Sequence, residues 1–318
     1  MSYIEELNEK LLPAKIKHWL ALDLFAGCGG LASGFEAQGF ETIGYEMQDV
    51  YCRTYNRNLS GLCLNEILTP DYKFPSADIV IGGPPCQPFS VGGYQKGLQD
   101  SRNGFPTFLS AIKQIHPRLA LFENVRGLMY RNKWYLEEIV NELEGLGYSV
   151  EFELLNAAHY GVPQNRERLI AIAAQHKGVF KFPSKSKHMV SAGEALGDMV
   201  FQAPPDGKYL TPSMDTYVGK YEKASKCKTP RDLHLEKPAR TLTCGNLARA
   251  TGDMHRIVLP DGRRRRLSVR EAARLQSFPD HYEFLGSETK QYNQIGNAVP
   301  PLLAYQLASS VRDYLKIG

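Results

Sequence analysis

Short apolar or β-branched segments alternate with amphipathic stretches from residue 19 to about residue 175. This rhythm is typical of βαβ units, in which parallel strands share one sheet and helices cover its faces. The predicted strands are 20–25, 42–45, 78–81, 119–122, 150–155 and 169–173. The predicted helices are 31–38, 108–115 and 134–146. We therefore expect an α/β fold with a doubly wound, parallel sheet.

The texture of the sequence changes after Phe182. Residues 185–258 are rich in proline, glycine, serine, lysine and threonine and show no sustained period, which indicates a second, smaller and irregular domain. Regular structure returns at Ser268, where Ser-Val-Arg-Glu predicts a capping box and a helix. A last helix is predicted over 302–315. We expect a first domain over 1–184, the irregular domain over 185–258, and a return to the first domain over 259–318.

Composition excludes several classes of protein. The chain has 318 residues, of which 43% are hydrophobic and 23% charged, as in globular proteins with a buried core. No apolar stretch approaches the ~20 residues that span a bilayer, and the N-terminal acids do not fit a secretory signal, so we expect a cytoplasmic protein. The 6 cysteines include no C-x-x-C pair, which predicts neither a metal site nor disulfides. A net charge of +4 permits a polyanionic partner without requiring one.

The first predicted strand runs into the turn Asp23-Leu-Phe-Ala-Gly-Cys-Gly-Gly-Leu-Ala32. Glycines at Gly27 and Gly29 let a ligand approach the backbone, and Glu46 ends the second predicted strand. This spacing fits the dinucleotide fingerprint, in which the acid holds a ribose hydroxyl. NAD and S-adenosylmethionine both suit such a site. A tight strand-to-helix turn without a ligand is the alternative.

A rigid loop places a cysteine at the carboxyl edge of the predicted sheet. The segment Gly82-Gly-Pro-Pro-Cys-Gln-Pro-Phe-Ser90 follows a strand directly, and doubly wound folds bind ligands at this edge. A free cysteine is only about 3% thiolate at pH 7, so a nucleophilic Cys86 needs a nearby positive group or a base. The alternative is a buried, unreactive thiol.

Charged residues lie at the ends of two further predicted strands. Glu123, in Phe-Glu-Asn-Val125, reaches the same edge, where a carboxyl group can hydrogen-bond or exchange a proton with a substrate. A solvated acid is the alternative. Arg166 and Arg168, in Gln-Asn-Arg-Glu-Arg, precede a strand whose alternation sends both side chains to one side. Two guanidinium groups there suit a polar heterocycle or a phosphate, unless they form a surface ion-pair ladder.

In this order, the motifs resemble those of the cytosine carbon-5 DNA methyltransferases. The resemblance covers nearly the whole chain and continues through Arg270-Glu-x-Ala-Arg274 and Gln294-x-Gly-Asn297-Ala-Val-Pro. It implies a Rossmann-like methyltransferase sheet, a smaller target-recognition domain, and DNA in the cleft between them.

The resemblance implies catalysis through a covalent adduct. Carbon-5 of cytosine is a poor nucleophile, and attack of Cys86 on carbon-6 makes it reactive toward a methyl donor. Glu123 would hold N3 and the exocyclic amine of the ring. Arg168 would hold the carbonyl oxygen, with Arg166 beside it. The target base must leave the stacked duplex to reach these groups.

The residues that the resemblance assigns to S-adenosylmethionine come from distant segments. They are Phe25, Gly27, Gly29, Glu46, Met47, Glu66, Pro85 and Asn297. Two of them depart from the family pattern: Glu66 stands where aspartate is common near the adenine, and Met47 where an aromatic side chain often packs on that ring. Since Asn297 lies near the end of the sequence, the last helix should fold back onto the first domain.

The resemblance assigns DNA contacts to the loop after Cys86, which closes over DNA in the family, and to the segment around Arg240-Thr-Leu-Thr243, a marker of the recognition region. The predicted DNA-binding residues are Gln87, Ser90, Lys96, Gln99, Thr241, Asn246, Arg249 and Arg256. Because arginine pairs with guanine, a guanine-containing target is one expectation. The run Arg263-Arg-Arg-Arg266 suits phosphates, or is a solvated hairpin turn.

Other classes of protein explain less of the sequence. A dehydrogenase would account for the glycine turn but not for the motifs around Cys86 and Glu123, and a module that only binds would need neither residue. A transfer RNA methyltransferase of the same family is the remaining alternative. The separate recognition region and the Gln87-Pro-Phe-Ser90 ending favour DNA. We expect a prokaryotic monomer on double-stranded DNA, with a possible cognate restriction endonuclease for the same site.

Overall fold

The computed structural model describes residues 1–85, 103–175, 180–205, 207–224, 226, 231–248 and 252–317. The predicted site residues outside these ranges are Cys86, Gln87, Ser90, Lys96, Gln99 and Arg249. The helices are α1 (Tyr3–Lys10), α2 (Gly30–Ala37), α3 (Asp49–Asn58), α4 (Phe105–Ile115), α5 (Lys133–Gly145), α6 (Ala192–Leu196), α7 (Pro212–Ala224), α8 (Cys244–Ala248), α9 (Val269–Leu275), α10 (Glu288–Asn297) and α11 (Pro301–Ile317). The strands are β1 (Trp19–Leu24), β2 (Phe40–Glu46), β3 (Leu62–Asn65), β4 (Ile79–Gly82), β5 (Leu119–Val125), β6 (Ser149–Asn156), β7 (Gln164–Asn165), β8 (Glu167–Ala174), β9 (Ala239–Arg240), β10 (Arg256–Val258) and β11 (Arg264–Arg266).

The central sheet has the strand order β3-β2-β1-β4-β5-β8-β6, which confirms the predicted α/β fold. Neighbours from β3 to β5 are parallel. β8 runs antiparallel to both β5 and β6, so the prediction of a wholly parallel sheet is wrong at this strand. The reason is the short connection 157–166 between β6 and β8. A parallel return needs a crossover of about a dozen residues or more.

Two helical layers bury the sheet. Alternate side chains of β1 enter opposite cores, because Ala21 packs with α1, α2 and α11 whereas Leu22 packs with α4 and α5. α11 lies so close to α2 that a Cβ at Gly34 would come within 2.3 Å of the Tyr305 amide nitrogen. The last helix therefore lies against α2 in the first of the two helical layers.

A further core lies beside the carboxyl edge of the sheet. Its apolar side chains come from α6, α9, α10 and the segment 239–267, together with Cys28 from the turn after β1.

The predicted helix start at Ser268 is confirmed, since its hydroxyl and Glu271 form the capping box of α9. β10 and β11 pair across residue 258, so a hairpin spans the boundary that we placed there. The division into domains stays a prediction.

Residues 185–258 contain more regular structure than their composition indicates. α7 is 13 residues long, yet it buries a single side chain, that of Val218. A helix with so narrow an apolar face leaves little periodic signal in the sequence.

Within the described ranges, no helix has the length and apolar character needed to cross a membrane. In the same part of the chain, no cluster of three or more His, Cys, Asp or Glu side chains could hold a metal ion.

Candidate active site

The turn between β1 and α2 is built from residues with positive φ. Phe25, Gly27 and Gly29 have φ angles of 62°, 58° and 88°. This region is strained for a bulky side chain such as that of Phe25, and such strain is concentrated at functional sites. At φ 88° any side chain at Gly29 would be strained, and a Cβ there would also lie 2.6 Å from Leu59 Cδ1, so the turn favours glycine. The turn thus presents its backbone at the carboxyl edge of the sheet.

Glu46 ends β2 and holds this turn. Its carboxylate accepts hydrogen bonds from the Gly27 amide at 3.0 Å and from the Gln48 amide at 2.8 Å. Burial raises the pKa of Glu46, and the backbone amides partly offset the rise. Burial, and then the charge of Glu46, raise the pKa of Asp23 beneath the turn well above its usual range. Glu46 therefore lies beside the glycines, where the spacing predicted an acid.

Other residues that we predicted to bind the methyl donor differ in how far they are exposed to solvent. Phe25 and Pro85 meet at Gly104, where an added Cβ would lie 2.9 Å from Phe25 Cζ and 2.5 Å from Pro85 Cδ. Met47 is 59% exposed, and Glu66 is exposed next to the end of β2. These two side chains offer an open surface rather than a closed pocket.

Asn297 reaches the same region from the end of α10. The Cys28 thiol donates to the carbonyl oxygen of Gln294 at 3.7 Å, which joins the turn to α10. Asn297 is exposed, and its side-chain oxygen accepts a hydrogen bond from the Cys244 thiol at 2.9 Å. The fold therefore brings the end of α10, late in the sequence, next to the turn after β1.

The catalytic candidates Glu123 and Arg168 meet at the end of β5. Arg168 Nε lies 2.7 Å from Glu123 Oε1, and the two side chains are 13% and 12% exposed. A Cβ at Gly83, which follows β4, would lie 3.6 Å from Glu123 Oε2. The ion pair is therefore next to the start of the loop that carries Cys86, although Cys86 itself lies outside the described residues.

Asn124 is absent from the predicted site residues, yet it holds the start of that loop. Its side-chain nitrogen donates to the carbonyl oxygen of Pro84 at 3.0 Å, and its side-chain oxygen accepts from the Val125 amide at 2.9 Å. Asn124 is buried, and a buried amide needs partners. An amide-bearing residue on a buried strand, directly after Glu123, is the sequence signal that could have identified it.

Arg166 lies near Arg168 and Glu123: burial lowers its pKa well below the usual range, and the charges of Arg168 and Glu123 also act on it. It is buried, and its guanidinium donates to the carbonyl oxygens of Leu242 at 2.8 Å, Gly296 at 3.1 Å and Ala298 at 3.0 Å. Gln164 accepts a hydrogen bond from the Leu242 amide at 2.9 Å. A buried guanidinium must satisfy its donors, and here backbone carbonyls do so. The first arginine of the motif thus joins the segment around Arg240-Thr-Leu-Thr243, hereafter the recognition segment, to the end of α10.

Two predicted base-reading residues are internal. Arg256 is fully buried and forms ion pairs with Glu222 at 2.7 Å and Asp232 at 2.6 Å. Asn246 is also buried, and its side chain is hydrogen-bonded to the backbone just before α8. The prediction of base contacts is wrong for both residues, because their polar groups are already satisfied inside the protein.

The arginine run is also used within the protein. Its ion pairs are Arg263–Asp261, Arg264–Asp215, Arg264–Asp232 and Arg265–Glu271. Arg265 is buried, and the Arg266 guanidinium lies over the Tyr292 ring. The run forms the end of the turn and the second strand of the β10–β11 hairpin, which was the alternative expectation, and three of its four side chains are partly or fully exposed. The arginines of the run stabilise the β10–β11 hairpin and its contacts with α7, α9 and α10.

A cleft of about 360 Å³ opens beside Arg168. It is lined by Val125, Arg126, Asn156, Asn165, Glu167, Arg168 and Thr241. Thr241, a predicted DNA contact, faces this cleft, and its hydroxyl donates to the Asn165 carbonyl at 2.6 Å. The recognition segment and the sheet edge therefore share a polar opening.

Comparison with known proteins agrees with this arrangement. The family model for the C-5 cytosine-specific DNA methylases matches residues 20–313. The Type II methyltransferase M.AplI of Arthrospira platensis is 55% identical over 99% of this chain and 92% of its own length. The Type II methyltransferase M1.HphI of Haemophilus parahaemolyticus is 34% identical over 91% of this chain and 86% of its own.

Solved structures show the same fold. The Entamoeba histolytica methyltransferase EhMeth has a TM-score of 0.73 at 16% identity, over 95% of this chain and 99% of its own. The Dnmt2 methyltransferase of S. pombe has a TM-score of 0.70 at 17% identity, over 94% and 99%. The family model and the relatives confirm what the motifs predicted. The chain belongs to the C-5 cytosine-specific DNA methylase family and is a DNA cytosine-5 methyltransferase.

Proposed function

We propose that this enzyme transfers a methyl group from S-adenosylmethionine to carbon-5 of an extruded cytosine, at a specific duplex DNA sequence, through a covalent adduct with Cys86. The observation that carries the proposal is the Glu123–Arg168 pair at the carboxyl edge of the sheet. Gly83, three residues before Cys86, lies next to this pair. A base that enters here meets an acid, a guanidinium group and the cysteine loop together.

Glu123 and Arg168 match the polar edge of cytosine. A carboxyl group accepts from the exocyclic amine and, when protonated, donates to N3, whereas a guanidinium group donates to the carbonyl oxygen. Both side chains are nearly buried, so water weakens these contacts little. The base would replace the direct contact between the two side chains with contacts to itself.

The covalent step uses the loop after β4. The Cys86 thiolate forms a bond to carbon-6, and the electron pair of the carbon-5–carbon-6 double bond moves so that carbon-5 becomes nucleophilic. After methyl transfer, a base such as water takes the carbon-5 proton, and the electron pair of that bond restores the double bond as the carbon–sulfur bond breaks and the thiolate leaves. Asn124 supports this step because it fixes Pro84, two residues before the cysteine.

The residues around the turn after β1 fit a nucleoside-type methyl donor. Glu46 offers its carboxylate to ribose hydroxyls, Phe25 and Pro85 offer apolar surface, and Asn297 offers an exposed amide. When bound, S-adenosylmethionine supplies an electrophilic methyl group. Met47 and Glu66 would line the open side of this site, at the end of β2.

Duplex DNA is the proposed substrate because two nearly full-length relatives are named Type II methyltransferases. Their names also support a restriction endonuclease that acts on the same site. The enzyme would work as a monomer inside a bacterial cell. Extrusion of the base costs a few kcal/mol, and contacts from Thr241 and the loop after Cys86 would help to offset it.

Transfer of a labelled methyl group to duplex DNA or to transfer RNA tests the proposal. We expect the wild-type enzyme to label DNA alone, and nuclease digestion to release 5-methylcytosine. Cys86→Ser should label neither substrate but retain DNA in a gel-shift assay. Label on transfer RNA alone would replace the substrate, and substantial activity of Cys86→Ser would refute the covalent step.

A further inference from the structure

Cys244 lies where the recognition segment meets the proposed donor site. It begins α8, directly after the Arg240-Thr-Leu-Thr243 marker, and its thiol is 2.9 Å from Asn297 Oδ1 and 3.5 Å from the Asn293 carbonyl oxygen. A Cβ at Gly296 would lie 2.6 Å from the Cys244 amide nitrogen. The two segments are therefore in backbone contact, with the thiol directed at the end of α10.

This contact determines which side of the Asn297 amide is engaged. A side-chain amide has one oxygen acceptor and two N–H donors, and a thiol can donate one hydrogen bond. The Cys244 thiol occupies one of the two acceptor positions of the oxygen, so both N–H donors of Asn297 stay available to a ligand. A ligand held by these donors would present an acceptor, such as a carboxylate, a hydroxyl oxygen or a ring nitrogen.

Neighbouring groups connect this contact to the turn after β1. Burial raises the pKa of Tyr51, nearby Cys244 and Glu46 add to the rise, and a hydrogen bond between the Tyr51 hydroxyl and the Asn293 side chain partly offsets it. The Cys28 thiol donates to the carbonyl oxygen of Gln294. Groups from the turn, from α3, from α10 and from α8 thus surround one small region.

We propose that Cys244 is a positioning residue for the methyl donor: its thiol orients the Asn297 amide and so links the recognition segment to donor binding. The proposal rests on the proposed function, in which Asn297 contacts the donor. A cysteine that only fills space at this point would affect the stability of α8, and its effect on donor binding would not depend on Asn297.

A double-mutant cycle tests the link, with S-adenosylhomocysteine as the probe and calorimetry as the measurement. One hydrogen bond corresponds to about a threefold to tenfold change in affinity, so Cys244→Ala should weaken binding by that factor. Cys244→Ser retains a hydroxyl donor and should stay within about threefold of wild type. In an Asn297→Ala background, Cys244→Ala should have no further effect, because coupled residues are not additive.

Cys52 provides the matched control. Its thiol also donates to an oxygen, the Cys63 carbonyl at 3.0 Å, but within the α3–β3 region. Cys52→Ala should therefore keep the wild-type affinity for S-adenosylhomocysteine, and unfolding midpoints would monitor the fold of each variant. Additive losses in the double variant, or wild-type affinity in Cys244→Ala, would overturn the proposal alone. A wild-type enzyme that does not bind S-adenosylhomocysteine would overturn the proposed function as well.

Discussion

The sheet edge and the recognition region use charged side chains in opposite ways. At the edge, Glu123 and Arg168 form a pair whose side chains are still partly exposed, and Arg168 lines an open cleft. In the recognition region and in the β10–β11 hairpin that continues it, Arg256 and Arg265 are enclosed with acidic partners and have no free face. An arginine-rich segment is therefore not itself a reading surface. Substitutions should affect catalysis at the first region and stability at the second.

The largest effect on catalysis is expected at Glu123. Glu123→Gln removes the carboxyl group that can give a proton to N3 as charge develops on the ring, and loss of one such group costs about 10²- to 10³-fold in kcat. Donor affinity should change little, because the donor residues lie around the turn after β1. Single-turnover methylation and calorimetry with S-adenosylhomocysteine measure the two quantities. Glu137→Gln, an exposed residue of α5, is the control. A defect confined to donor affinity would show that Glu123 has been misplaced.

Arg256 tests the opposite side of the comparison. Arg256→Gln would leave the carboxylates of Glu222 and Asp232 without their buried partner, at a cost of about 3 kcal/mol of unfolding free energy. Urea unfolding measures this loss. Arg263→Gln breaks an exposed pair and should cost less than about 1 kcal/mol. If Arg256→Gln kept its stability but changed the methylated sequence, the structural role of Arg256 would be wrong.

His255 should make the recognition region sensitive to acid. Burial, and then the charge of Arg240, lower the pKa of His255 to about 3. The unfolded chain has a histidine pKa near 6.5, so it binds protons first as the pH falls. The contribution of His255 to stability is therefore complete above about pH 6.5 and declines toward pH 3, by about 2 kcal/mol between pH 7 and pH 5.

Urea unfolding at pH 7 and pH 5 tests this dependence. His255→Gln should reduce the difference between the two pH values, whereas the exposed His188→Gln should not. An unchanged difference in His255→Gln would show that other groups cause the acid sensitivity.

The smallest effect is expected at Asn124. Asn124→Ala removes one buried hydrogen bond to Pro84, which is worth about tenfold in the methylation rate if the bond positions the Cys86 loop. Affinity for S-adenosylhomocysteine should remain near that of wild type. If Asn124→Ala lowered the free energy of unfolding but left the methylation rate unchanged, the role of Asn124 would be structural only.

Features that depend on residues close together in the sequence could be predicted, whereas contacts between residues far apart in the sequence could not. Glu46 and Glu123 could be placed because parallel strands end at one edge, so the end of an apolar run is informative. The reversal of β8 depends on a short connection whose path the strand pattern does not encode. Arg256 could not be interpreted, because its partners lie 24 and 34 residues away and composition does not show that they face it.

Elements with little burial were also missed. β3 is 4 residues long and buries one side chain, Cys63, so its pattern resembles a loop. α10 carries Asn297 but is largely polar, and its buried face includes Gln294, a residue that hydropathy does not mark as internal. Motif resemblance located Asn297, whereas the helix that presents it could be seen only in the fold.

Methylation-sensitive sequencing tests the central claim most directly. Plasmid DNA and transfer RNA would be compared from cells that express the wild-type chain or Cys86→Ser. The account predicts 5-methylcytosine at one recurring DNA sequence, with the wild type alone. Methylation confined to transfer RNA, or equal DNA methylation by Cys86→Ser, would contradict it.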